Sequence, residues 1–286
     1  MVFPPAVPRA GATAPLASAS PLMSSPPPAP NPPRPRFSLK RVALPLLSAY
    51  LVLGVATTVF QRQLLYFPSR ADSSSQAALF ALQPWRHQGA VIGYAREVPS
   101  PKRIWLMLHG NAGQAIDRTY ALPLFNPDDS VFILEYPGYG SRPGSPSQHA
   151  FNAAAQAGYE QLRQTYPLLP VNVLGESLGS GVACFLATLP RPPDRIALAV
   201  PFDRLTALTQ EKLFFLPIGL MMFDRWDNSA ALAGYRGRVD IFGARDDIVI
   251  PIHHAQTLAA QVKGSHFHLI ECGHNEWAEH RHVDLR

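Results

Sequence analysis

The chain has 286 residues, 47% of them hydrophobic and 16% charged, which is apolar enough for a sizeable core and long enough for one or two domains. Its net charge of +5 has a single source: residues 1–41 carry Arg9, Arg34, Arg36, Lys40 and Arg41 and no acid, leaving 20 of the 25 basic residues against all 20 acidic ones. A neutral main domain argues against nucleic acid as its partner. The two cysteines, Cys184 and Cys272, fit no metal or redox spacing and read as free thiols.

Residues 1–36 are a low-complexity run of Pro, Ala and Ser ending in PPPAPNPPRPR. Such a composition cannot bury enough apolar surface to fold, so a disordered, basic, Pro-rich arm is expected over 1–41. The next 19 residues, VALPLLSAYLVLGVATTVF at 42–60, carry no charge. As a helix they reach about 28 Å, the thickness of a bilayer's hydrocarbon core. Pro45 falls in the first turn, where its missing N–H costs little. A transmembrane helix in contact with lipid is therefore expected over 42–60, with a cleaved signal peptide as the alternative, its small-residue site near 54–56. Basic residues crowd the side before the span, which predicts a cytoplasmic arm and an outer, periplasmic or lumenal, domain over 61–286.

From about residue 85, short apolar runs alternate with helical stretches. Strands are predicted at 91–96, 103–108, 130–136, 171–175, 195–200, 238–242 and 266–270. Helices are predicted at about 148–166, 177–189, 202–216, 228–235 and 253–263. Several strand candidates are nearly continuous apolar runs, as in strands covered on both faces. The alternation predicts an α/β fold with a mostly parallel sheet flanked by helices.

The strand at 171–175 runs into Gly175-Glu176-Ser177-Leu178-Gly179 and then into a helix. In a sharp strand-to-helix turn the residues two positions either side of the serine must be small, and the turn lifts the hydroxyl to the carboxyl edge of the sheet, where open α/β sheets keep their chemistry. A serine that attacks at neutral pH needs a base, and the base needs an orienting carboxylate. In this arrangement the acid follows the serine and the histidine comes last. GARDDIVIP at 243–251 offers Asp246, three residues after Gly243, with Asp247 as its rival. ECGHNEW at 271–277 offers His274 just past the last strand. HGNAGQ at 109–114, after the strand at 103–108, offers a tight turn, and the backbone N–H groups of Asn111 and Leu178 are the candidate oxyanion donors. His253, His254, His266, His268, His280 and His282 show no metal-ligand spacing, and no metal or cofactor is expected.

These motifs resemble the α/β-hydrolase superfamily, and within it the membrane-anchored serine hydrolases with an HGNAG oxyanion loop. The resemblance runs from about residue 62 to 281 through QRQLLYFP, LMLHGNAG, EYPGYGSRPGSPS, NVLGESLGSG, PFDRL, DRWDN, GARDDIVIP and GHNEW. It implies that Ser177 attacks, that His274 serves as general base and then acid, that Asp246 orients His274, and that a covalent acyl-enzyme is hydrolysed by water without a cofactor. Relatives include esterases, thioesterases and aminopeptidase-like members. The cysteine-rich N-terminus of the depalmitoylating relatives is absent here.

Between the strands at 195–200 and 238–242, a small cap is expected over about 205–235. Its apolar run holds Phe214, Phe215 and Met222, which are candidates for contact with a small acyl ester or thioester. A peptidase would need an acid near the cap, for which Asp224 or Asp227 is available. The third reading is a non-catalytic, membrane-tethered binding module.

Overall fold

The computed structural model describes residues 39–70, 77, 79–279 and 283–286. The expected disordered arm lies outside these residues except for its last three positions, as do His280 and His282. In chain order the elements are α1 (Leu39–Val59), α2 (Gln61–Leu65), β1 (Phe67–Pro68), β2 (Gln83–His87), β3 (Ala90–Arg96), β4 (Ile104–Leu108), β5 (Ala112–Gly113), a 3-10 segment (Ala115–Leu124), β6 (Ser130–Leu134), α3 (Gln148–Thr165), β7 (Val171–Glu176), α4 (Gly179–Leu186), β8 (Arg195–Ala199), α5 (Leu205–Lys212), α6 (Ile218–Met221), α7 (Asn228–Leu232), β9 (Arg238–Ala244), α8 (Ile252–Gln261) and β10 (His266–Ile270). Residues 39–45 are the opening turns of α1, and Leu46–Arg286 form one compact unit.

Eight strands make one sheet in the order β10-β9-β8-β7-β4-β6-β3-β2. All neighbours are parallel except β2 against β3 and β3 against β6. The period of two along each strand divides the core into two layers. Ile104, Leu106, Leu108, Phe132 and Leu134 face one side, where α3, α4, α7 and α8 cover them. Trp105, Met107, Val131 and Ile133 face the other, against the 3-10 segment, Trp277, Val283 and Leu285. This double burial is why β4, β6, β7 and β8 read as unbroken apolar runs, every residue in them being buried.

The seven strands expected from the sequence are present, with no end moved by more than two residues. β2 is an addition: its QPWRH sequence has one buried side chain and lies at the sheet edge, where Pro and charged residues are tolerated. The helix expected over 202–216 ends at Lys212, and the chain then turns and forms α6.

α1 carries a stretch, Val42–Val59, long and apolar enough to cross a membrane, and none of it is buried against the protein. Beyond Leu46 it stays in contact with the rest of the unit. The Tyr50 hydroxyl donates to the Phe215 carbonyl at 2.9 Å, and just past the end of α1 the side-chain amide of Gln61, in α2, donates to the Met221 carbonyl at 3.1 Å.

Candidate active site

The strand-to-helix turn places Ser177 at φ +51°, in the left-handed region that a residue with a side chain rarely adopts. Its N–H donates to the Ala199 carbonyl at 2.9 Å, which ties the turn to β8. The two flanking glycines have steric causes. A Cβ on Gly175 would stand 2.7 Å from both the Gly179 carbonyl oxygen and the Ala183 Cβ, and one on Gly179 would collide with the Leu108 carbonyl oxygen. Gly181 leaves room for the Trp226 ring, 2.5 Å from where its Cβ would be.

His274, in the loop after β10, has Nε2 at 3.0 Å from Ser177 Oγ and Nδ1 at 2.6 Å from Asp247 Oδ2. The other carboxylate oxygen of Asp247 accepts the N–H groups of Val249 at 2.8 Å and Ile250 at 2.7 Å. Asp247 is buried and Asp246 is exposed. The expected partner of His274, Asp246, is therefore corrected to its neighbour Asp247. The reason is register: β9 continues through Gly243 and Ala244, two residues beyond its expected end. The turn that follows directs Asp246 to solvent and Asp247 inward, onto the N–H groups of its own loop.

Sequence reasoning passed over Glu176, the residue before the serine. It is buried and accepts from Arg118 Nε at 2.8 Å, the Tyr120 hydroxyl at 2.7 Å, Trp277 Nε1 at 3.4 Å and the Gly110 N–H at 3.4 Å. One carboxylate thus ties the nucleophile turn to the 109–120 segment and to the loop that carries His274. Burial alone would push its pKa up, but the Arg118 charge and the Tyr120 hydrogen bond outweigh it and hold the carboxyl below its ordinary value. A carboxyl depressed in the folded state contributes stability that is complete above the unfolded value near ~4.3 and is lost as pH falls through the lower folded value. Glu176→Gln removes the charge that Arg118 Nε faces while the guanidinium keeps its bond to the Ala112 carbonyl, which costs about 1–3 kcal/mol. Thermal unfolding across pH should show the widest gap between wild type and variant above about pH 5, closing below about pH 4.

The 109–111 turn lies directly beside the serine: a Cβ on Gly110 would be 3.4 Å from Ser177 Cβ. Its other groups are held outward. The Asn111 carbonyl accepts from the Phe67 N–H at 2.8 Å and the Tyr139 hydroxyl at 2.6 Å, and the Tyr136 hydroxyl donates to the His109 carbonyl at 3.1 Å. The Asn111 side chain donates to the Leu65 carbonyl at 2.9 Å. Leu178, with φ −55° and ψ −36°, opens α4.

Of the three expected substrate contacts, Met222 lines an apolar cavity of about 510 Å³. Phe214 and Phe215 do not line it and are corrected: the turn after α5 points Leu213 and Leu216 inward and leaves the two phenylalanines exposed, Phe214 at 81%. Asp224 and Asp227 are both engaged. The first is buried and accepts from the Tyr66 hydroxyl at 2.7 Å, and the second caps α7 through the Ala230 N–H at 2.8 Å. Away from the serine, donor atoms of Glu211, His253 and His254 lie within 4.8 Å of one another, a set that could hold a cation. His254 is buried with Nδ1 at 2.6 Å from Asp203 Oδ1, and His268 Nε2 lies 3.1 Å from Asp240 Oδ1.

Residues 106–233 match the family model described as the alpha/beta hydrolase fold. The chain is 30% identical over 257 residues to Uncharacterized protein MT2364 of Mycobacterium tuberculosis, covering 84% of this chain and 91% of that protein. It is 27% identical over 202 residues to Lysophosphatidylserine lipase ABHD12 of Danio rerio, covering 62% of this chain and 53% of the lipase. The esterase Pf2001 of Pyrococcus furiosus shares the fold with a TM-score of 0.58 at 13% identity, over 75% of this chain and 95% of the esterase. The chain belongs to the α/β-hydrolase family, and its fold and relatives support hydrolase activity.

Proposed function

We propose that this chain is a membrane-anchored serine hydrolase that cleaves carboxylic ester or thioester bonds through an acyl-enzyme. The observation that carries this reading is the His274 imidazole bridging Ser177 Oγ and Asp247 Oδ2 at 3.0 and 2.6 Å. Nδ1–H donates to the carboxylate, which leaves the Nε2 lone pair to take the serine proton as Oγ attacks the acyl carbonyl. The departing alcohol or thiol takes that proton back from Nε2. Water, deprotonated by the same nitrogen, then releases the acid.

The developing oxyanion is received by the Asn111 and Leu178 N–H groups. Two features support this choice. The Gly110 carbonyl is 2.9 Å from His109 Nδ1, and a trans peptide aims its N–H the opposite way from its carbonyl. The Leu178 N–H stands at the positive end of α4. Such donors contribute about 3–4 kcal/mol each to transition-state stabilisation. The name of the Danio rerio relative, a lipase, agrees with ester cleavage. The apolar helix Val42–Val59 supports the anchor, and the charge asymmetry around it favours a cytoplasmic arm and an outer hydrolase domain.

The burial of Asp224 on the Tyr66 hydroxyl and the use of Asp227 Oδ1 as the cap of α7 disfavour the peptidase reading. The test is a panel of p-nitrophenyl esters beside aminoacyl anilides, assayed on the full-length protein. Esters should be turned over, and anilides at least about 100-fold more slowly. Preference for anilides would make this a peptidase, and turnover of neither would favour a binding module.

A further inference from the structure

The apolar cavity of about 510 Å³ lies within the ~300–1,000 Å³ range of small-molecule sites. One of its walls is the carboxyl end of the anchor helix itself. Thr57, Thr58 and Leu64 line it on one side, and Leu208, Met222 and Ile248 on the other. Two of its wall residues are hydrogen-bonded through their backbone to residues of the candidate site. Val249, another wall residue, donates its N–H to Asp247, and the carbonyl of Leu65, also in the wall, receives the side chain of Asn111.

The surface around this cavity is apolar and unpartnered. Phe214 is 81% and Leu220 84% exposed, and Phe223 and Ile248 are exposed beside them. These side chains do not face water at a distance from the anchor. The Phe215 carbonyl is bonded to Tyr50, nine residues before the end of α1 at Val59, which places the cap loop well along the stretch that is long enough to span a bilayer. Nine helical residues are about 13 Å, close to half the hydrocarbon thickness. The exposed cap side chains are therefore continuous with the apolar surface of the anchor, as in a segment buried at an acyl boundary.

We infer that the cavity between the anchor helix and the cap is the acyl-chain site of the hydrolase and that it fills sideways from the membrane, so that the substrates are single-chain esters or thioesters resident in the leaflet. The inference rests on the serine-hydrolase reading above and adds to it the source of the substrate. The acyl chain lies between Thr57–Leu64 and Leu208–Met222, its carbonyl reaching Ser177 past the Asp247 loop, while the head group stays at the interface. The anchor is then part of the binding site as well as a tether.

The test uses the full-length protein in phosphatidylcholine vesicles and p-nitrophenyl esters from acetate upward in chain length. Each added methylene should raise kcat/KM about fourfold until the cavity is filled. Thr58→Trp and, separately, Leu208→Trp narrow the cavity from opposite walls. Each should cut turnover of the long-chain esters at least tenfold, with folding of the variants checked by thermal unfolding. A phosphatidylcholine-vesicle experiment with a diazirine-bearing fatty acyl ester should cross-link to peptides holding Thr57–Leu65 and Leu205–Met222. Long-chain turnover unchanged in both variants, or cross-links confined to the outward face of α1, would overturn the lateral acyl site. Absence of turnover of every ester in the series by the wild type would instead sink the serine-hydrolase reading, so the two failures are distinguishable. Where a variant fails to fold by thermal unfolding, the wild-type cross-links decide the matter alone.

Discussion

Ser177→Ala and His274→Ala should each lower kcat/KM on a p-nitrophenyl ester by about 10⁴–10⁶-fold, and the double variant should be no worse than either single one. The proposed mechanism requires this non-additivity. The serine hydroxyl is reactive only while Nε2 stands 3.0 Å away to accept its proton, so removing either member removes the same step. What remains is the contribution of the oxyanion donors and of binding, worth about 10³–10⁴ over water. Steady-state kinetics of the three variants, with protein folding checked by thermal unfolding, measures it. A single variant that retains a tenth of wild-type activity would mean that another group carries the attack.

The second large effect separates two adjacent aspartates. Asp247→Asn should cost about 10⁴-fold in kcat, because an amide at that position no longer enforces the Nδ1–H tautomer or stabilises the imidazolium. Asp246→Asn, a change on an exposed side chain, should stay within about twofold. The contrast is informative because the two side chains differ little in sequence context. Asp247 has its second oxygen fixed by the Val249 and Ile250 N–H groups, so its orientation survives thermal motion. Asp246 contributes its backbone N–H to the Cys272 carbonyl at 3.1 Å, which joins the acid loop to the histidine loop without putting its side chain in the site. A pronounced loss in Asp246→Asn with Asp247→Asn active would reverse the assignment.

Much of this was legible in the residues. The strands were visible because double burial makes each central strand an apolar run, and the serine turn was visible because Gly175 and Gly179 sit where only hydrogen fits. His274 followed from its place after the last strand. What escaped the sequence was whatever depends on local register or on distant partners. The choice between Asp246 and Asp247 turns on a two-residue extension of β9, which composition does not reveal. The Asx-type turn formed by Asp247 with Val249 and Ile250 is the signal that could have decided it, since such a carboxylate folds back on its own loop. Glu176 was hidden for another reason. Its partners Arg118, Tyr120 and Trp277 come from segments 56 to 101 residues away. Phe214 and Phe215 misled because an apolar run reads the same whether its side chains line a cavity or stand exposed. β2 was missed since its edge position needs little apolar content.

The central claim is that the Ser177 hydroxyl is the activated nucleophile of this sheet. Incubation of the full-length protein with a fluorophosphonate, followed by intact mass and peptide mapping, tests it most directly. The account predicts one phosphonyl adduct per chain, located on the peptide that contains Ser177 and absent from Ser177→Ala. No adduct on folded wild-type protein, or an adduct on a different residue, would contradict it.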